Sequence, residues 1–384
     1  MKWEKVKIKE ICKGIYDGPH ATPPVSSDGA IFLGITNFRN GRLDLSEIRY
    51  ISEADFPKWT KRVIPKENDI VFSYEATLNL YAIIPSGFRG CLGRRMALLR
   101  VNENKVHYKF LYYYFYSEAW RSEIQRNIVL GATVDRIPLI KFPDFIVELP
   151  SLEIQHKIAN ILSAYDDLIE NNQKQIKLLE EAAQRLYKEW FVDLRFPGYE
   201  DIPIINGMPE GWEEEEINKI FNIKYGKTLP TNKIKNSGKY PVYGANGIIG
   251  YYNQKNCNDY VVLITSRGNG SGEVSRTHDK EAFVTNNSFI IMPVNDLIKL
   301  PFTYQLMKTI NFKRICTGSA QPQLTNKSIN ILKVVLPSDE LVLKFCQYTE
   351  IYYEKIENLL SQNKRLIEAR DRLLTKLMSG EIEV

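Results

Sequence analysis

The tripeptide Gly226-Lys227-Thr228 is the tail of a phosphate-cradling loop, in which backbone N–H groups and a lysine hold a nucleotide's phosphates. That loop needs a glycine five residues earlier, and Phe221 stands there instead. Methyl transfer to an exocyclic amine calls for an Asn-Pro-Pro-aromatic tetrapeptide, but Pro23-Pro24 follows Thr22. Metal-dependent phosphodiester cleavage calls for Pro-Asp followed within about twenty residues by Glu-x-Lys, so that carboxylates and a lysine hold Mg²⁺. Pro143-Asp144 has no such sequel. Cysteines 12, 91, 257, 316 and 346 form no CxxC pair, and histidines 20, 107, 156 and 278 are equally dispersed. This scatter argues against a zinc centre and against a disulfide framework, and it fits a reducing cytoplasm. The chain is therefore expected to do no chemistry of its own.

Charge is more informative once divided along the 384 residues. Residues 1–149 carry 22 Lys+Arg against 17 Asp+Glu, and 206–336 carry 16 against 10. The intervening 150–205 hold 6 against 10, and 337–384 hold 7 against 9. Two basic blocks thus alternate with two acidic ones, and basic blocks attract a phosphate backbone. With 44% hydrophobic and 25% charged residues the composition is globular. No stretch approaches the ~18 uncharged apolar residues of a membrane span, and the start, MKWEKVKIKE, has no signal-peptide core.

The elements that must position any site come in duplicate. An offset of 187 lays Pro150-Ser151 on Pro337-Ser338, Tyr165 on Tyr352, Ile169-Glu170-Asn171 on Ile356-Glu357-Asn358, and Arg185-Leu186 on Arg372-Leu373. It also lays Gly131 on Gly318. A tryptophan opens each basic block, Trp3 and Trp212. Each half is a basic lobe followed by an acidic helix.

The first helix carries its seam at Ile154, Ile158, Ile161, Tyr165, Ile169, Asn172, Ile176, Leu179, Ala183, Leu186 and Trp190. The second repeats the steps at Leu341, Phe345, Tyr348, Tyr352, Ile356, Leu359, Asn363, Leu366, Arg370, Leu373 and Leu377. Steps of three and four, with one stutter after Tyr165 and after Tyr352, describe a coiled-coil stripe narrow enough to want one partner helix. Ser151 and Ser338 are the expected N-caps. Asn172 and Asn363 are the only seam amides, and a buried amide wants an amide. That predicts an antiparallel pair in which Asn172 faces Asn363, Trp190 lies near Phe345, and Ile158 lies near Leu377.

Each lobe reads as strand-rich. Expected strands are 31–35, 69–74, 82–85, 96–101 and 145–150 in the first, and 240–244, 247–252, 259–265, 288–292 and 331–337 in the second. One helix is expected over 108–126 and another over 302–316. A Pro/Gly linker, RFPGYEDIPIINGMPEG, lies between the first long helix and Trp212. The fold class is α+β: two strand-rich lobes separated by two long helices in an antiparallel coiled coil, with pseudo-two-fold repetition.

At this point the residues resemble a family. YDGPHATPP (16–24), FLGITNFRNGRLDLS (32–46), RLYKEWFVDLRFPG (185–198), GMPEGWEEEEI (207–217), KYPVYGANGIIGYY (239–252) and TGSAQPQLTNKSINILKVVLPS (317–338) look like the specificity subunits of Type I restriction–modification enzymes. The likeness spans the whole chain. It implies a target-recognition domain over 1–150, a central long conserved helix over 151–192, a linker over 193–211, a second target-recognition domain over 212–336, and a C-terminal long helix over 337–384. It implies a non-catalytic, sequence-specific binder of double-stranded DNA, each lobe reading half of a split, asymmetric target while the helices set the spacing. The implied partners are two methyltransferase subunits and motor–nuclease restriction subunits, which use S-adenosylmethionine, ATP and Mg²⁺; the chain itself holds no cofactor. Alternatives are the separate specificity subunit of another restriction type, and a diverged DNA methyltransferase or nuclease.

Phosphate contacts give affinity and base-edge contacts give choice. In the first lobe the candidate cations are Arg39, Arg42, Arg94 and Arg95, with His20, Thr22 and Tyr74 as base or sugar contacts. In the second they are Lys227, Lys239, Arg267 and Arg276, with Tyr243, Asn246, Asn269, Gln321 and Gln323 as edge readers, since amides match adenine.

Overall fold

A computed structural model describes residues 3–130, 134–318 and 321–384, so that Gly131, matched above with Gly318, lies outside them. The chain divides into two compact units, Met1–Ile169 with Lys364–Val384, and Glu170–Asn363. The long helices, Leu152–Tyr187 and Asp339–Met378, each contribute to both units.

In the first unit, strand β1 (Glu4–Lys7) pairs antiparallel with β9 (Ile146–Leu149). A four-stranded antiparallel sheet has the order β2 (Cys12–Asp17), β8 (Met96–Val101), β5 (Ile70–Ser73), β6 (Tyr81–Ile83). A three-stranded sheet has β3 (Ala30–Leu33) at its centre, antiparallel to β4 (Tyr50–Ile51) and parallel to β7 (Gly90–Leu92). The expected single helix over 108–126 is two helices, Tyr108–Tyr114 and Glu118–Asn127. The break has a local cause: Ser117 leaves helical geometry and its hydroxyl caps the second helix by accepting from Trp120 N.

The aromatic run YKFLYYYFY (108–116) packs into the core, where Phe110 and Phe115 are buried with Trp120, Phe72 and Phe142. Four of its phenols find partners: Tyr112 donates to Gly41 O at 2.6 Å, Tyr113 to Asp166 at 2.6 Å, Tyr116 to Tyr81 O at 2.9 Å, and Tyr114 accepts from Glu148 N at 3.0 Å. A buried tyrosine is tolerable only on those terms. Ile158, Ala159 and Leu162 share this core with Leu374, Leu377 and Met378, and Asp166 pairs with Arg370 at 2.5 Å. The helix segments of this unit therefore run antiparallel, with Ile158 and Leu377 in one core.

His107 precedes the aromatic helix, its ring centroid 4.3 Å from that of His156. Its Nδ1 is buried without a partner. Burial first, then His156 and Lys109, push its pKa down to about 4. The folded state thus holds this imidazole neutral, and the unfolded chain binds the extra proton below the ordinary histidine pKa of ~6.5. Stability of this unit is expected to be full above pH ~6.5 and to fall as pH drops toward 4. His107→Gln should flatten that slope in urea titrations at pH 7.5 and 5; an unchanged slope would assign it elsewhere.

The second unit repeats the scheme strand for strand. β10 (Glu213–Glu216) pairs antiparallel with β18 (Lys333–Leu336). The four-stranded antiparallel sheet has the order β11 (Phe221–Tyr225), β17 (Ser288–Pro293), β14 (Val262–Thr265), β15 (Val274–Arg276). The three-stranded sheet has β12 (Tyr240–Gly244) antiparallel to β13 (Gly247–Tyr252) and parallel to β16 (Phe283–Val284). Four glutamates make β10 a strand because its ladder to β18 supplies what their propensity does not. The helix expected over 302–316 is Leu300–Thr309 followed by a 3-10 turn, Phe312–Ile315, with Pro301 in its first turn.

Here the helices also run antiparallel. Asn172 Nδ2 donates to Asn363 Oδ1 at 2.9 Å, each residue 7% exposed, and the Trp190 and Phe345 rings meet edge-on at 6.0 Å. This is the register that the seam amides predict. The stutter is a correction. Tyr348 is 55% exposed and meets Trp190 edge-on at 5.8 Å from the rim of the seam, whereas Thr349 is fully buried, its hydroxyl donating to Phe345 O at 2.8 Å. That internal bond hides the polarity that made threonine look like a surface residue. In the first unit Leu162, not Ile161, is the fully buried residue of the matching turn. The walks Phe345, Thr349, Tyr352, Ile356 and Ile158, Leu162, Tyr165, Ile169 step 4, 3, 4, an unbroken heptad pattern. Asn172→Ala removes the donor to the buried Asn363 amide, so we expect a loss of about 1–3 kcal/mol in chemical denaturation. Leu at both positions should restore most of it; a silent single variant would show the amides to be hydrated.

Candidate nucleic-acid interface

Beyond β5 the first-lobe chain continues as Tyr74-Glu75-Ala76, held between two other segments. Tyr74 N donates to Arg95 O at 3.2 Å, Ile137 N to Tyr74 O at 2.8 Å, and Ala76 N to Asp135 O at 3.1 Å. Glu75 and Val129 each form an antiparallel bridge with Arg136. At the edge, Gly18 N donates to Met96 O at 2.8 Å. Gly18 is required there, since a Cβ would sit 2.1 Å from Gly93 O.

The second lobe builds the same platform from other residues. Ser266 N donates to Asn287 O at 2.8 Å, Leu324 N to Ser266 O at 2.9 Å, and Gly268 N to Pro322 O at 3.1 Å. Arg267 and Thr317 each bridge Gln323 antiparallel. Gly226 N donates to Ser288 O at 3.0 Å, and a Cβ on Gly226 would meet Thr285 O at 2.3 Å. The backbone therefore equates Gly18 with Gly226, Glu75 with Arg267, Arg94-Arg95 with Asn286-Asn287, and Arg136 with Gln323. Cross-strand bridge partners project from one face, so Glu75 with Arg136, and Arg267 with Gln323, present a shared edge.

Several sequence-predicted residues meet on these platforms. In the second lobe Arg267, Asn269 and Gln321 are exposed and Gln323 is half-buried. Asn246 Oδ1 lies 3.3 Å from where a Cβ on Gly270 would be, and Lys227 N bonds to Val284 O at 3.0 Å beside Asn286. In the first lobe Arg94 is exposed, Arg95 Nε lies 3.4 Å from Glu75 Oε1, and His20 contacts Asp17 at 3.0 Å next to Gly18. Thr22 is exposed four residues beyond Gly18. Lys239 is exposed over the Tyr240 ring, about 17 Å along β12 from its platform end.

Others are corrected. Tyr74 and Tyr243 are core residues, 5% and 3% exposed; their hydroxyls donate to Arg94 O at 2.9 Å and to Asp279 at 3.0 Å. Arg276 is 3% exposed, paired with Glu357 and stacked over Tyr353 at 5.0 Å, so no phosphate can reach it. Arg39 pairs with Asp44 at 3.2 Å, and Arg42 donates to Asp166 O at 2.8 Å. Both sit on the hairpin Phe38–Leu43, which Tyr112 fastens through Gly41, away from the bonds that build the platform.

Sequence reasoning missed Glu75, Arg136, Asn286 and Asn287, and also Arg62, which pairs with Asp17 and donates to Gly18 O at 3.3 Å. No single offset finds them: Gly18 to Gly226, Glu75 to Arg267 and Arg136 to Gln323 are separated by 208, 192 and 187 residues. Loops of unequal length erase the repeat where the side chains differ most. Among the described residues there is no group of three or more His, Cys, Asp or Glu placed to hold a metal, and no helix long and apolar enough to cross a membrane.

Comparison with known proteins bears on this arrangement. The family model described as the Type I restriction modification DNA specificity domain matches residues 1–181 and 209–360. The specificity subunit of the Type I restriction enzyme MjaIX of Methanocaldococcus jannaschii is 27% identical over 360 residues, covering 88% of this chain and 82% of that one. The specificity subunit of the Type I restriction enzyme EcoprrI of Escherichia coli is 25% identical over 315 residues, covering 78% and 74%. The crystal structure of a Type I restriction–modification S subunit from M. genitalium superposes with a TM-score of 0.60 at 21% identity over 98% of this chain and 96% of that one, a likeness of fold.

Proposed function

Because the chain belongs to the Type I restriction–modification DNA-specificity family, we propose that it is the subunit that chooses the DNA for such an enzyme. It reads a bipartite, asymmetric duplex target, one half with each lobe. It carries out no reaction itself; it positions two methyltransferase subunits and the motor–nuclease subunits, whose S-adenosylmethionine, ATP and Mg²⁺ stay with them. The observation that carries this reading is the platform built twice on one backbone plan with different side chains. A reader of two unlike half-sites needs that combination: constant geometry against the duplex, and variable groups toward the bases. The basic charge of both lobe regions supports the phosphate contacts.

The test is incubation of the purified chain with labelled S-adenosylmethionine and duplex DNA, alone and with its methyltransferase partner. The expected result is salt-sensitive binding without methyl transfer by the chain alone, and transfer once the partner is added. Methylation by the chain alone would replace this reading with that of a diverged methyltransferase.

A further inference from the structure

Given the reading above, on which this inference rests, the chemistry of the two platforms assigns a base class to each half-site. The four equivalent positions hold Glu75, Arg94, Arg95 and Arg136 in the first lobe, and Arg267, Asn286, Asn287 and Gln323 in the second. One set is three guanidiniums and a carboxylate; the other is three amides and a guanidinium. We infer that the first platform reads a guanine-bearing base pair and the second an adenine-bearing one, and that these positions determine each lobe's specificity.

Two physical arguments carry it. The first is complementarity. A guanidinium meets guanine O6 and N7 with two parallel donors, whereas a side-chain amide offers the donor–acceptor pair that adenine N6 and N7 require. Glu75, 3.4 Å from Arg95, steadies that guanidinium as an orienting partner does. The second is unused hydrogen-bonding capacity. Among the described residues no side-chain partner is found for Arg94, Arg136, Arg267, Asn286, Asn287 or Gln323, although all their backbones are fixed. Side chains on a rigid frame with nothing inside the protein to bond are ready to bond a ligand, at a small ordering cost.

The experiment selects bound duplexes from a randomised pool with the full chain, then repeats this with N286R/N287R/Q323R and with Asn287→Ala and Gln323→Ala singly. The wild type should enrich an A·T pair in one half-site and a G·C pair in the other. The triple substitution should move only the A·T half toward G·C. Each alanine should erase about 5- to 150-fold of discrimination at one base pair in that half. Folding of each variant is read from its unchanged selection of the other half, and the alanine variants serve where the triple variant does not fold. Retained A·T preference in the triple variant, or alanine variants that weaken all sequences equally, would overturn the assignment while leaving bipartite reading intact. A wild type that enriches no sequence would overturn both.

Discussion

A chain whose residues 1–150 are exchanged for the first lobe of another family member is expected to keep one half of its target and to acquire a new other half. Affinity for the original duplex falls to the non-specific level, ~10³-fold or more. The sheets and platform of the first unit are completed by residues that precede the long helix, and what the lobe needs from elsewhere is a docking surface: Ile158, Ala159 and Leu162 with Leu374, Leu377 and Met378. The polar part of that surface is Asp166, which accepts from Tyr113 at 2.6 Å and pairs with Arg370. An incoming lobe that lacks a donor at the place of Tyr113 leaves a buried acceptor short of a partner, costing about 1–3 kcal/mol. The exchange is therefore read on a graft that retains this tyrosine. Pool selection should show one half altered and the other unchanged; alteration of both halves would mean that the lobes do not read independently.

Replacing Glu357 by leucine is expected to destabilise the second unit by about 3–5 kcal/mol, because it strands a charge. Arg276 is 3% exposed, and its Nε and Nη2 already lack protein partners. Glu357 is the carboxylate that balances it, with His278 Nδ1 3.3 Å away. Burial opposes ionisation of Glu357, but His278 and Arg276 outweigh it and hold its pKa below the ordinary value of 4.5. A lowered carboxylate pKa means that its stabilisation is present above pH ~4.5 and is lost as pH falls through the folded value. The wild type should thus lose stability in acid with a component that the leucine variant lacks. The double variant Arg276→Met with Glu357→Leu should recover most of the loss, since an apolar pair fills the space without a stranded charge. Thermal unfolding of the wild type and the two variants at pH 7 checks the ordering; a single variant as stable as wild type would show the pair to be hydrated.

The elements with strong periodic signals were legible from sequence. Strands 96–101, 240–244 and 247–252 have the bounds that alternation and turn residues give. The antiparallel register of the long helices followed from two amides. What was not legible had a physical reason in each case. Glu213–Glu216 has no strand propensity and is held by its ladder to Lys333–Leu336. Thr349 carries a hydroxyl that its own helix satisfies one turn back, and Arg276 a charge that only a tertiary partner neutralises, so sequence alone puts one outside the seam and the other on the surface. The platforms were half seen. Arg94, Arg95, Arg267 and Gln323 stand out in the sequence as cations and an amide near turn residues, whereas Glu75, Arg136, Asn286 and Asn287 emerge only from backbone bonds between distant segments, Glu75 and its bridge partner Arg136 being 61 residues apart.

In the function proposed above, one chain recognises two separate short stretches of duplex with two lobes of different chemistry. Base-by-base substitution across a bound duplex, with affinity measured at each position at a fixed ~0.15 M salt, tests it most directly. Two runs of sensitive positions flanking a run where any base is accepted are expected, with Gln323→Ala relieving sensitivity in one run only. A single uninterrupted run, or Gln323→Ala acting on both, would contradict it.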